Sequence, residues 1–288
     1  MLGIFVLYLR EGIEASLIVT MLFAVLRQLG RPYQARAVWI GIGLAILASI
    51  VGSIAFYYTL HYYNKSIYEA ILETVTYLIA VVLLTTMTFW MQKHSRTMKK
   101  DILEKASSAS SGFALGLLAF TTVGREGIET AFFTLAFAFQ TQALLILISA
   151  VLGLLVSIAL SVLIYRVGYR LDYRVFFRVM GILLIFFAAG LLSNAIGSLQ
   201  ETGWLTLGSQ VLWNSSHILS EDSAFGATLH GLIGYSDAPT ILQGLFYTVY
   251  LFIAGGIFAW ITRHPGSSPA VKPTPTPESS PRTATTNG

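Results

Sequence analysis

The chain has 288 residues, 55% of them hydrophobic and only 11% charged, with a mean hydropathy of +0.70. A water-soluble domain carries about 25% charged residues, so this chain lacks the polar surface to dissolve and takes the bilayer as its solvent. The net charge of +4 lies in basic residues between apolar runs, where it reads as a topology signal and not as a nucleic-acid face, and the absence of cysteine excludes disulfides, thiolate metal sites and iron–sulfur clusters.

The apolar runs approach the ~20 residues needed to cross a hydrocarbon core of ~30 Å. Residues 1–9 have no basic stretch, and Arg10 and Glu11 interrupt the first run, so no cleavable signal peptide is expected. Seven spans are expected instead, over residues 4–26, 37–60, 70–91, 112–138, 143–165, 176–196 and 244–261. The second and fifth are free of charge, the third carries Glu73, and the first and fourth carry a cluster of ionisable residues.

The links set the orientation. Arg27, Arg31 and Arg36 follow the first span, and Lys93, Arg96, Lys99, Lys100 and Lys105 follow the third. Arg166, Arg170, Arg174 and Arg178 follow the fifth, and Arg263 follows the seventh, whereas no lysine or arginine falls between Arg178 and Arg263. Every basic cluster is thus on one side, and the positive-inside rule places the N-terminus outside and the C-terminus in the cytoplasm. Six of the eight prolines lie after Arg263 among Ser and Thr, so 263–288 reads as a disordered cytoplasmic tail.

Arg10-Glu11-Gly12-Ile13-Glu14 recurs as Arg125-Glu126-Gly127-Ile128-Glu129, an offset of 115 residues. Each copy opens a set of three spans, an odd number, so the two sets must run in opposite directions across the membrane. The expected organisation is a permease domain over 1–262: repeat one at 1–92, repeat two at 112–197, an outer loop at 198–243 and a seventh helix at 244–262. The fold class is all-α integral membrane. Inverted repeats of this kind carry their binding site near the midplane, where the halves meet.

On a helix, Glu11 and Glu14 share a face, as do Glu126 and Glu129, and each arginine stands four residues from its own second glutamate. An ionised side chain at the bilayer centre costs about 2.5–3.5 kcal/mol, so six unpaired groups would cost on the order of 15 kcal/mol. Four carboxylates against two guanidiniums leave a net charge of −2. A hard cation with oxygen ligands, or titrating protons, would neutralise it. Interhelical glue is the plainer account of one such cluster, but a weak account of two in opposed halves. Gly12 and Gly127 are expected to serve close packing.

The paired motif in the first and fourth of seven spans resembles the high-affinity iron permease family, which includes fungal ferric permeases and bacterial EfeU-type relatives. Thr88-Phe89-Trp90-Met91, Leu199-Gln200-Glu201-Thr202-Gly203 and the run from Gly234 to Thr240 extend the resemblance over about residues 1–262. It implies that Glu11, Glu14, Glu126 and Glu129 contact iron in passage, with Arg10 and Arg125 holding them. It also implies ferric iron delivered by an extracytoplasmic oxidase or iron-binding protein, and a bacterial inner membrane. The outer loop lacks the dense acidic cluster of fungal members, so delivery need not follow the fungal pattern.

Glu73, Glu201, Glu221, Asp222 and Asp237 are further candidates along the approach from outside, against the plainer reading of a solvated loop whose Trp204, Trp213 and Tyr235 rest at the interface. His217 and His230, thirteen residues apart, form no recognisable metal pair. The chain has no His-Glu-x-x-His, no Gly-x-Ser-x-Gly and no phosphate-binding loop, so neither an enzyme nor a direct ATPase is expected. An iron transporter without a permanently bound cofactor is the leading expectation. The alternative is a proton- or cation-coupled carrier of another divalent metal or small solute. Lipid, iron and a delivery protein are the expected partners, nucleic acid is not, and self-association is compatible with either reading.

Overall fold

The computed structural model describes residues 2–62, 67–94, 98–109, 111–139, 141–167, 173–221 and 223–264. The proline-rich tail expected after Arg263 therefore falls almost wholly outside the described residues, as does Asp222. Among the described residues the chain forms nine α-helices, one 3-10 turn at Pro32–Gln34 and no strand beyond an isolated bridge between Val211 and Thr240.

The helices are α1 (Leu2–Gln28), α2 (Ala35–Tyr62), α3 (Ile67–His94), α4 (Met98–Ser108), α5 (Gly112–Ala138), α6 (Ala143–Val167), α7 (Tyr173–Glu201), α8 (Ala224–Ile233) and α9 (Ile241–Arg263). Each of the seven expected stretches falls within one of them. Five helices, α2, α3, α6, α7 and α9, contain stretches long and apolar enough to cross a membrane. The other two long helices, α1 and α5, have 27 residues each and carry the motif charges.

Two helices fall where only links were expected. α4 joins α3 to α5, and its Leu103 and Ala106 pack onto Leu22, Leu26 and Leu115 of α1 and α5. Its lysines mask that apolar face in a linear reading. The loop expected at 198–243 begins with the last turn of α7, contains α8 and ends with the first turn of α9. Ser223 caps the start of α8, accepting from the Gly226 N–H, and Gly234 ends it in the left-handed region at φ 69°. Thr240 and Gln243 form a capping box at the start of α9.

Small residues set the helix pairing. α1 runs parallel to α6: Gly153 meets Phe5 and Leu9, and Ser16 Oγ lies 2.6 Å from Ser161 Oγ about two turns further on. α2 runs parallel to α5, with Gly41 against Gly116 and Ser49 against Gly127. The helix that follows each motif helix thus packs on the motif helix of the other copy. α1 and α5 are antiparallel, because Tyr8 Oη meets Thr134 Oγ1 at 2.6 Å at one end while Leu22 and Leu118 line one cavity at the other. α3 and α7 also run antiparallel, joined near one end by Thr74 and Ser198.

An apolar core packs the bundle toward α8, where Ile4 and Leu7 of α1 meet Tyr77, Phe133, Phe137 and Leu191. A second core packs the α4 end, where Leu22, Val25 and Leu26 meet Val38, Leu115 and Ala119. The two motifs lie between these cores.

Candidate functional site

Both motif copies lie mid-helix, on α1 and α5, and the antiparallel crossing brings them face to face. Glu11, Glu14, Glu126 and Glu129 are all buried. One carboxylate oxygen each from Glu11, Glu126 and Glu129 lies within 4.8 Å of the other two. Hard cations bind oxygen at ~2.0–2.6 Å, so ligands on opposite sides of one ion stand ~4–5 Å apart. These three oxygens could therefore share an ion.

The hydrogen-bond accounting points the same way. Glu11 Oε2, Glu126 Oε2 and Glu129 Oε2 are buried and have no hydrogen-bond partner among the described residues. An unsatisfied buried polar atom costs about 1–3 kcal/mol, and more when charged. The three glutamates come from two helices, and their orphan oxygens leave a polar centre that protons or a cation would complete.

The opposite oxygens of Glu11 and Glu129 are engaged by the motif arginines. Arg10 Nη1 donates to Glu11 Oε1 at 2.7 Å, and Arg10 Nε stands 2.8 Å from Glu14 Oε1. The second contact is an ion pair without the alignment of a hydrogen bond. Arg125 Nε donates to Glu129 Oε1 at 2.8 Å. Each arginine thus meets the glutamate four residues on, and Glu14 stands outside the close triad.

The two arginines differ in setting. The Arg10 side chain is only 2% exposed, whereas that of Arg125 is 49% exposed. Arg125 also carries its guanidinium 5.2 Å from the centre of the Trp90 ring on α3. A cavity of about 150 Å³ opens beside it on the α4 side, lined by Glu14, Glu126, Arg125, Trp90 and Lys105.

Helix approach makes the face-to-face geometry feasible. A Cβ on Gly12 would collide with Ser157 Oγ of α6, and one on Gly127 with Ser49 Oγ of α2. Both motif glycines therefore admit a neighbouring helix at close range, and the two contacts are equivalent in the two copies. The serines escape a reading of the motif alone, although each lies in a charge-free span, 37–60 or 143–165, rich in small residues.

Comparison with known proteins gives the family. The model of the iron permease FTR1 family matches residues 1–264. The chain belongs to that family. It is 34% identical to the ferrous iron permease EfeU of Shigella sonnei over 260 residues, 88% of this chain and 94% of the relative. The protein of the same name from Escherichia coli O157:H7 matches equally, and that of Yersinia pestis is 32% identical over 256 residues, 87% of this chain and 90% of the relative. No solved structure matches. Family membership and the apolar helices make the chain a multi-pass membrane protein.

A second polar cavity, of about 460 Å³, lies at the α8 end. Glu73, Glu201 and Glu221 line it together with His230. Glu73 accepts from Tyr77 Oη at 2.9 Å and from Ser198 Oγ at 3.3 Å. His230 Nδ1 stands 2.9 Å from Glu221 Oε1 and 2.8 Å from the Tyr235 carbonyl. Burial pulls His230 down, but the hydrogen bond and charge of Glu221 and the Tyr235 carbonyl outweigh it and raise its pKa above 6.5. The same hydrogen bond holds Glu221 below 4.5.

Asp237 does not line that cavity; its Oδ2 accepts from the Glu221 N–H at 3.2 Å and so braces the segment. Tyr235, expected at the membrane interface, instead ties the segment from within through Leu219 O and Ser215 Oγ. Trp204 and Trp213 are exposed. His217 is exposed as well, and nothing in the spacing couples His230 with a glutamate nine residues before it. The loop's own fold makes that pair.

Proposed function

We propose that the chain transports iron across the membrane, with Glu11, Glu126 and Glu129 as the ligands of the ion in passage and Glu14, Arg10 and Arg125 as the charges that poise them. The observation that carries this reading is the convergence of Glu11, Glu126 and Glu129 from two antiparallel helices, each with a buried carboxylate oxygen left unpartnered. Family membership and the EfeU relatives supply the cargo. Carboxylates suit a hard ion, which favours ferric iron, while the named relatives are ferrous permeases. The cargo enters as substrate, and the chain holds no cofactor of its own in this mechanism.

The path follows from the two cavities. We read α1 and α5 as spans alongside the five apolar helices, giving seven, with 1–92 and 112–197 as inverted repeats and α9 outside them. The exchange of second helices between copies supports this, since α1–α6 and α2–α5 are equivalent pairings. With the basic links in the cytoplasm, the α8 end faces outward. The cavity lined by Glu73, Glu201 and Glu221 is then the outer vestibule, where negative potential concentrates cations delivered by an extracytoplasmic protein.

Between the vestibule and the carboxylates, Leu7, Tyr77, Phe133 and Phe137 close the path. On the other side Glu14 and Glu126 line the small inner cavity. This is a state closed outward, with its carboxylates turned inward. Uptake then requires the apolar core to part while the inner side shuts, so that the same four glutamates face the vestibule. Arg10 balances Glu11 and Glu14 throughout, which keeps the empty site from carrying four uncompensated charges.

The test is uptake of radioactive iron into liposomes containing the purified chain, with and without a reductant and an inward-negative potential. Retention of full uptake by Glu11→Gln, Glu126→Gln and Glu129→Gln would remove the reading. Uptake only with the reductant would assign ferrous iron. Movement of another solute that needs these glutamates, with no iron movement, would favour the proton- or cation-coupled alternative.

A further inference from the structure

The two arginines are equivalent in sequence and different in space, and the difference lies in an aromatic ring that the motif does not contain. Arg10 is held by two carboxylates in a buried setting. Arg125 has one carboxylate, Glu129, and lies 5.2 Å from the Trp90 ring centre. Arg125, Trp90, Glu14 and Glu126 all border the inner cavity. A half-exposed guanidinium one residue from Glu126, beside orphan oxygens of Glu126 and Glu129, has a strong electrostatic reason to fall onto them. There it would stand where a cation must stand.

Resting on the transport reading above, we propose that Trp90 is a positioning residue of the ion path: its ring holds the Arg125 guanidinium at the rim of the inner cavity and out of the Glu11–Glu126–Glu129 centre. A guanidinium is weakly hydrated and stacks readily on an indole face. The ring therefore competes with the carboxylates for Arg125 without adding a charge of its own. The motif arginine of α5 becomes a movable counter-charge that yields to the incoming ion, and the arginine of α1 a fixed one. Trp90 adjoins Met91, which packs in the bundle against Leu17.

The experiment compares Trp90→Leu and Trp90→Phe, each alone and combined with Arg125→Gln, by the KM and maximal rate of iron uptake in liposomes. Trp90→Leu should raise KM about tenfold, the equilibrium worth of a partly desolvated cation–π contact, with the maximal rate nearly kept. Trp90→Phe should recover most of the affinity. In the Arg125→Gln background, Trp90→Leu should have no further effect on KM. An unchanged KM in Trp90→Leu, or an equal rise with and without Arg125, overturns the proposal.

A second arm does not depend on iron. The chain has no cysteine, so Thr122→Cys places a single thiol on the inner cavity. The rate with an anionic methanethiosulfonate relative to a cationic one reads the charge there. Withdrawal of Arg125 in Trp90→Leu should lower that ratio severalfold, and Trp90→Phe should not. An unchanged ratio sinks the proposal even if wild-type chain carries iron. A lowered ratio in a chain that carries none upholds the positioning role while the transport reading falls.

Discussion

The motif of α1 and the motif of α5 have the same five residues and nearly opposite surroundings. Arg10 is enclosed and bridges two glutamates, whereas Arg125 holds one glutamate, lies over Trp90 and faces a cavity. α8 packs onto α1 through Gly3 and Gly231, whereas the other short helix, α4, packs onto both α1 and α5. Identical chemistry thus becomes a fixed anchor in one half and an adaptable wall in the other. An inverted repeat needs such asymmetry at any instant, because a site open equally to both sides would be a pore.

The largest expected effect ignores the difference between copies. Glu11→Gln, Glu126→Gln and Glu129→Gln each keep volume and remove one ligand charge, and each should lower the initial rate of iron uptake by at least about tenfold. A defect confined to one copy would show that the centre is not shared.

Next come the arginines, where the copies should part. Arg10→Gln leaves Glu11 and Glu14 buried without their cation and should cost about 3–5 kcal/mol. Arg125→Gln removes a half-exposed partner and should cost about 1 kcal/mol. Unfolding of the purified variants in detergent checks both, and equal losses would break the comparison.

The glycines should bring the copies together again. Gly12→Ala presses on Ser157 and Gly127→Ala on Ser49, each at about 1–3 kcal/mol of overpacking. Ser157→Gly should rescue the first and Ser49→Gly the second, read by the same unfolding measurement.

The smallest effect concerns the anchor of α8. The His230 contribution is complete below pH 6.5 and is lost as pH rises through its raised pKa. The Glu221 contribution is complete above pH 4.5 and is lost as pH falls through its lowered pKa. Amide exchange across 224–233 should therefore be slowest, after correction for intrinsic rates, between about pH 4.5 and 6.5, and should quicken above. His230→Ala should flatten that dependence.

By itself the sequence determined the solvent, the helices and the chemical content of the centre. Apolar runs of bilayer length leave no other fold, because backbone groups in hydrocarbon must bond within their own helix. A duplicated set of two glutamates and one arginine leaves a net negative charge wherever it is placed. Both arginine–glutamate pairs were legible too, since a spacing of four residues on a helix is a local fact.

Only the tertiary structure decided which oxygens meet, because that depends on the crossing of α1 with α5 and on the two serines that seat the motif glycines. Which glutamates form the close triad, with Glu14 outside it, depends on the same crossing. Trp90 lies on a third helix and His230 on a helix hidden in a loop, so their partners are set by packing between elements far apart in the chain. Sequence symmetry could not reveal the asymmetry of Arg10 and Arg125, since burial belongs to neighbours and not to the motif.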